Sequence, residues 1–130
     1  MKYLLDTNAI IALLRRDRDF EARVRQHRPA DFGLSAIVAH ELFFGAYKGQ
    51  RRDENLARVD GLQFEPVEFD ADDARAAGRI RAELGATGKP IGPYDILIAG
   101  QAFARNLTLI SRNLREFQRV DGLVVENWHS

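Results

Sequence analysis

Met1-Lys2-Tyr3-Leu4-Leu5-Asp6-Thr7-Asn8 opens the chain, and the other segments arrange themselves around it. The apolar run through Leu5 reads as a short buried strand that stops at Asp6. Ala9-Ile10-Ile11-Ala12-Leu13-Leu14 begins a helix running to Arg16, with Thr7 or Asn8 as its cap. Asp6 therefore falls at the carboxyl end of a first strand, the edge of an open α/β sheet where ligands bind.

Working outward, Phe20 to Gln26 reads as a second short helix, broken by Pro29. Asp31 to Ser35 is a short strand ending in a capping serine, and Ala36 to Tyr47 is strongly helical. A polar, Arg-rich helix covers Gln50 to Leu62. Phe64 to Phe69 alternates apolar and polar, and Pro66 confines it to a sheet edge or a strand start. Asp70 caps a long helix to Gly85 whose expected buried stripe is Ala74, Ala77, Gly78 and Leu84. Pro93 opens a helix to Arg105, Leu107 to Ile110 is a strand, and Leu114 to Phe117 is a helical turn. A last strand covers Leu123 to Glu126. This alternation predicts an α/β fold: one domain over residues 1–130, a three-layer α/β/α sandwich with a mainly parallel central sheet.

Composition excludes several chemistries. The chain has no cysteine, so disulfides, thiolate nucleophiles and Cys-ligated zinc are out. No apolar run approaches the ~20 residues of a membrane span, and Asp6 interrupts the start too early for a signal peptide, so a cytoplasmic protein is expected. Net charge is zero, yet sixteen of the nineteen basic residues are Arg, the side chain whose fork suits phosphate oxygens.

The acids carry the functional argument. Ile37, Glu41 and Phe44 fall on one helical stripe, which sets a carboxylate in an apolar face, costly unless it is paired or bound to a cation. Asp95, Ile98, Ala99 and Ala102 form another stripe, with the acid at its end. Asp6 follows one strand, and Glu116 follows another after a turn. Taken singly, each has a plain alternative: a cap, a dipole-stabilised first turn, an Arg pair or a solvated acid. As a set they are stronger. Four carboxylates converging on one sheet edge would repel by ~4 kcal/mol per close pair at an effective dielectric near 20. Protonation or a bound cation must relieve that, and all-oxygen ligands favour Mg²⁺ or Mn²⁺. Such ions activate water and stabilise a leaving oxygen in phosphodiester hydrolysis. The three histidines read as surface residues; His40-Glu41 lacks the second His of a zincin helix. Gly85-Ala86-Thr87-Gly88-Lys89 misses phosphate-loop spacing and reads as a plain loop, with Lys89 near a substrate.

Three blocks, Leu4 to Asn8, Glu41 to Gly45 and Ile91 to Ala99, resemble the main motifs of PIN domains. The closing Leu109 to Val120 block, followed by Gly122-Leu123, completes the resemblance. Their order and spacing resemble VapC-type toxins of bacterial toxin–antitoxin modules over essentially the whole chain. The resemblance implies a Mg²⁺- or Mn²⁺-dependent endoribonuclease, a homodimer, held in check by a VapB-type antitoxin. It implies metal ligation by Asp6, Glu41 and Asp95. Many relatives carry an Asp in the last block, where this chain has Asn113 and then Glu116; Glu116 is taken as the fourth catalytic acid and Asn113 as its helper. Thr7, Asn8 and Ser111 are expected to orient ligands or water, and Arg112, Arg115 and Lys89 to meet RNA, tRNA or another. Apolar Phe43 and Tyr47 on polar helical stretches suit the expected dimer.

Two rivals remain at this level. A haloacid-dehalogenase-type phosphatase wants a second Asp where Asn8 stands. A non-catalytic PIN-like module, acting in a DNA-binding or regulatory complex with its partner, is opposed by the intact acid set.

Overall fold

Five parallel strands form the central sheet of the computed structural model, which describes residues 1–129. They are β1 (Tyr3–Leu5), β2 (Phe32–Ser35), β3 (Glu65–Val67), β4 (Thr108–Ile110) and β5 (Val125–Glu126). Seven helices are described: α1 (Thr7–Leu14), α2 (Arg18–Val24), α3 (Ala36–Lys48), α4 (Arg52–Asp60), α5 (Ala71–Ala86), α6 (Pro93–Ala104) and α7 (Leu114–Phe117). A single 3₁₀ turn, Pro29–Asp31, leads into β2.

The sheet order is β3-β2-β1-β4-β5. The chain winds outward from β1 to β3, then jumps across to β4. Right-handed crossovers place α1 to α4 on one face and α5 to α7 on the other. That reversal makes the gap between β1 and β4 the topological switch point, where the carboxyl ends of parallel strands open a crevice. Register carries Asp6 there: Leu5 lies opposite Ile110, and the Asp6 N–H donates to the Ile110 carbonyl at 3.1 Å. One step further along both strands, Asp6 faces Ser111.

Local chemistry accounts for most element boundaries. Ser35 caps α3 by accepting from the Ile37 N–H at 3.1 Å. Asp70 and Asp73 cap α5 reciprocally, and Pro93 opens α6 at the first position, where its missing N–H costs nothing. Pro66 lies in β3 at the sheet edge, as its missing donor requires. The core gathers Leu4, Leu5, Ile10, Phe32, Val38, Ile98, Leu109, Ile110 and Phe117, all fully buried. At Gly100 a Cβ would meet Ala77 backbone and side-chain atoms at 2.6 Å, so this glycine sets the close approach of α6 to α5. Among the described residues no helix is long and apolar enough to cross a membrane.

Four expectations need correction. The cap of α1 is Asp6, not Thr7 or Asn8. The buried stripe of α3 is Val38, Leu42 and Ala46; Phe44 is exposed, and Glu41 borders the apolar face. On α5 Ala74 and Gly78 are exposed, while Asp73, Ala77, Ile80 and Leu84 are buried, because large apolar groups take the inward face. His27 and His129 are half-buried, not surface residues. His27 stacks on Trp128 at 5.0 Å between centroids and His129 on Phe20 at 4.4 Å.

Candidate active site

Asp6 is buried, and both of its carboxylate oxygens are engaged. Oδ1 accepts from the Ala9 N–H at 2.8 Å as the cap of α1, and Oδ2 accepts from the Ser111 hydroxyl at 2.5 Å. The second distance is that of a charge-assisted hydrogen bond. Thr7 donates through Oγ1 to Glu41 Oε1 at 2.8 Å, which ties α3 to the start of α1. Ser111 Oγ also accepts from the Asn113 N–H at 2.9 Å, and Asn113 Nδ2 donates to Glu116 Oε2 at 2.8 Å. Asn113 and Glu116, alternatives in sequence, are thus one hydrogen-bonded pair. Asp95 is half-buried in the first turn of α6, beside Gly92.

The acids sense one another. Burial, then Asp6, Glu116 and Glu41 in that order, push the Asp95 carboxyl up from 3.8 to about 6. Asp6 is also raised, by burial first and by Glu41; Ser111, the Ala9 N–H and Arg112 oppose the rise. Among the described residues no Lys, Arg or His forms an ion pair with any of these four acids. Nor are any three Asp, Glu or His side chains already closed into a group that holds a cation. The donor set fits a hard divalent ion: carboxylates from four elements, hydroxyl and amide groups fixing their orientation, no sulfur and no imidazole among them.

Two cavities border α1, and the first has Glu41 in its lining. One of about 300 Å³ lies among α1, α3 and α4, lined by Ile11, Leu14, Arg15, Glu41, Leu42 and Asn55 among others. The second, about 390 Å³, is polar and includes Asn8, Arg15, Asp17, Arg112 and His129 in its lining. Arg112 and Asn8 were expected beside the site; Arg15 and His129 belong to no motif. His129 arrives there only because the C-terminal tail folds back onto α2. Arg115 and Lys89 are exposed, Lys89 in the loop between α5 and α6.

The comparisons with known proteins bear on the family and the fold. The PIN domain family matches residues 3–123. The chain is 38% identical to a tRNA(fMet)-specific endonuclease VapC of Shigella flexneri, over 98% of each chain. It is 40% identical to a ribonuclease VapC2 of Haemophilus influenzae, again over 98% of each. The VapBC complex from Salmonella typhimurium, solved bound to DNA, contains a chain that superposes with TM-score 0.93 at 37% identity, over 98% of each. The chain belongs to the VapC branch of the PIN-domain family.

Proposed function

We propose that residues 1–130 act as one metal-dependent endoribonuclease domain, the toxin of a toxin–antitoxin pair. The observation that carries this reading is the convergence of Asp6, Glu41, Asp95 and Glu116 with no ion pair to a basic residue among the described residues. The relatives' names support ribonuclease action, and the Shigella name supports tRNA as the first substrate to try. The VapBC complex supports a VapB-type antitoxin as partner, and a homodimer is the assembly we expect.

Asp6, Glu41 and Asp95 would hold Mg²⁺ or Mn²⁺, with Glu116 completing the set directly or through water. A divalent ion there supplies Lewis-acid charge that acidifies an attacking water and stabilises the departing oxygen of the phosphodiester. Ser111 holds Asp6 Oδ2 in orientation and favours its ionised form. Thr7 orients Glu41 Oε1 by its own hydrogen bond, and Asn113 orients Glu116 Oε2. Asp95 gives up its proton above about pH 6, so this carboxylate is mostly charged at neutral pH. Arg112, Arg115 and Lys89 are the cations we assign to RNA around the site.

The test is cleavage of tRNA(fMet) and total RNA by purified protein in Mg²⁺ or Mn²⁺. Cleavage that chelator abolishes is expected. A folded protein that binds its antitoxin but cuts no RNA in either metal contradicts the reading and favours a regulatory module.

A further inference from the structure

An acidic cluster repels the polyanion it is meant to cut, and the chain as a whole has no net positive charge to offset this. RNA must therefore be held by local cations beside the acids. The cavity of about 390 Å³ walled by α1 and Arg112 brings two of them together, Arg15 and Arg112, from separate parts of the chain. Arg15 is the residue at which α1 ends, Arg112 follows the Ser111 that bonds Asp6, and Asn8 lies two residues beyond Asp6. Neither arginine is in an ion pair with a described residue. The one carboxylate in the wall, Asp17, is occupied as the cap of α2, accepting from the Phe20 N–H at 3.2 Å.

His129 makes this cavity more than a chance pair of surface arginines. Its ring lies flat on Phe20, 4.4 Å between centroids and 11° between planes. The Arg112 guanidinium stands 3.2 Å from its Nδ1. An arginine only donates, so Nδ1 is the acceptor and the ring proton sits on Nε2. Burial and Arg112 hold this imidazole below its usual pKa, consistent with a neutral acceptor. Nε2 is itself buried without a partner among the described residues. The tail thus restrains Arg112 before any ligand arrives, which reduces the entropy lost on binding. His129 lies outside the 3–123 stretch that matches the family.

We propose that the cavity walled by Asn8, Arg15, Arg112 and His129 seats an RNA backbone phosphate adjacent to the scissile one, with His129 positioning Arg112. Guanidinium forks match phosphate oxygens two by two, and Asn8 adds an amide donor. The inference rests on the ribonuclease reading and adds where the strand lies: it crosses from the acids toward the end of α1 and the C-terminal tail.

The experiment is steady-state cleavage in Mg²⁺ of whichever RNA the wild type cuts, starting with tRNA(fMet), with affinity measured across a salt series. Arg15→Ala is expected to raise KM roughly tenfold, with a far smaller change in kcat, as fits loss of one charged hydrogen-bonding contact. The slope of log affinity against log salt should fall by about one. His129→Phe keeps the stack on Phe20 and loses the acceptor; it should raise KM about threefold at an unchanged melting temperature. His129→Asn, which returns an acceptor close to the place of Nδ1, should restore KM. Arg15→Ala and His129→Phe enzymes that match the wild type in KM and salt slope overturn the proposal and leave the nuclease reading intact. So do variants that lose only antitoxin affinity, since the cavity would then serve the protein partner. A wild type that neither binds nor cuts RNA overturns both readings.

Discussion

Two groups of acids occupy this molecule, and they differ in one respect. Asp70 and Asp73, at the start of α5, face Arg105. The Arg105 Nη2 lies 3.0 Å from Asp73 Oδ2 and 3.2 Å from Asp70 Oδ2, and it also donates to the Glu68 carbonyl at 2.9 Å. Asp73 is fully buried there at no evident strain, because every charge has a partner. The Asp73 N–H holds the Asp70 carboxyl below its usual range, and Arg105 adds to that effect despite partial desolvation. Asp6, Glu41, Asp95 and Glu116 form no ion pair with a described residue; the other three acids act on Asp95, which rises to about 6. The same residue type is structural where the chain supplies the counter-charge and functional where it leaves the counter-charge to a ligand.

The sharpest way to break this contrast is to remove charge from each group in turn. At the open group, Asp6→Asn or Asp95→Asn should each lower RNA cleavage by at least ~100-fold, because a lost ligand costs more than a lost supporting contact. The double variant should be scarcely slower than either single one, since ligands acting as a unit are not additive. Glu116→Gln should cost about tenfold, the scale of a supporting group. Cleavage kinetics in Mg²⁺ measure all four, and independent, multiplying losses would contradict a shared site.

At the closed group, Arg105→Ala strands the buried Asp73 charge and should destabilise the fold by about 2–3 kcal/mol, at the low end for a broken buried pair because Arg105 is itself about a third exposed. Asp95→Asn should act in the opposite sense on the metal-free protein and raise its melting temperature slightly, since it removes repulsion. Calorimetric melts in chelator compare the two. If both substitutions destabilise alike, the acids at the switch point are paired by contacts other than those described.

The smallest effect is a matter of pH, and its sign differs between the groups. Asp95 keeps its proton to about 6 in the fold and to about 3.8 when unfolded. Its contribution to stability is therefore present below about pH 4 and lost as pH rises through about 6. Asp70 is lowered in the fold, so its contribution is present above its unfolded value and lost only as pH falls below it. Metal-free melts between pH 4 and 7 should show a decline toward neutrality that Asp95→Asn flattens and Asp70→Asn does not.

Much of this was legible in the residues. Apolar runs, capping side chains and Pro93 marked the elements, because strands and helix ends are encoded locally. The parallel sheet followed from their alternation, and the resemblance to PIN domains singled out Asp6, Glu41 and Asp95. What escaped depends on contacts distant in sequence. The rotation of α3, which exposes Phe44 and sets Glu41 at the border, is decided by its packing neighbours. The outward turn of Ala74 and Gly78 reflects the same competition on α5. Arg105 reaches Asp73 across 32 residues, and His129 reaches Phe20 and Arg112 only once the tail has folded back. No local pattern announces such pairs.

The central claim is that the open group awaits a divalent ion. Isothermal titration of Mn²⁺ into metal-free protein at pH 7 tests it most directly. The account predicts saturable binding to the wild type, strongly weakened in Asp6→Asn and in Asp95→Asn, and unchanged in Asp70→Asn. Equal binding by wild type and Asp6→Asn, or no binding to a folded wild type, would contradict it.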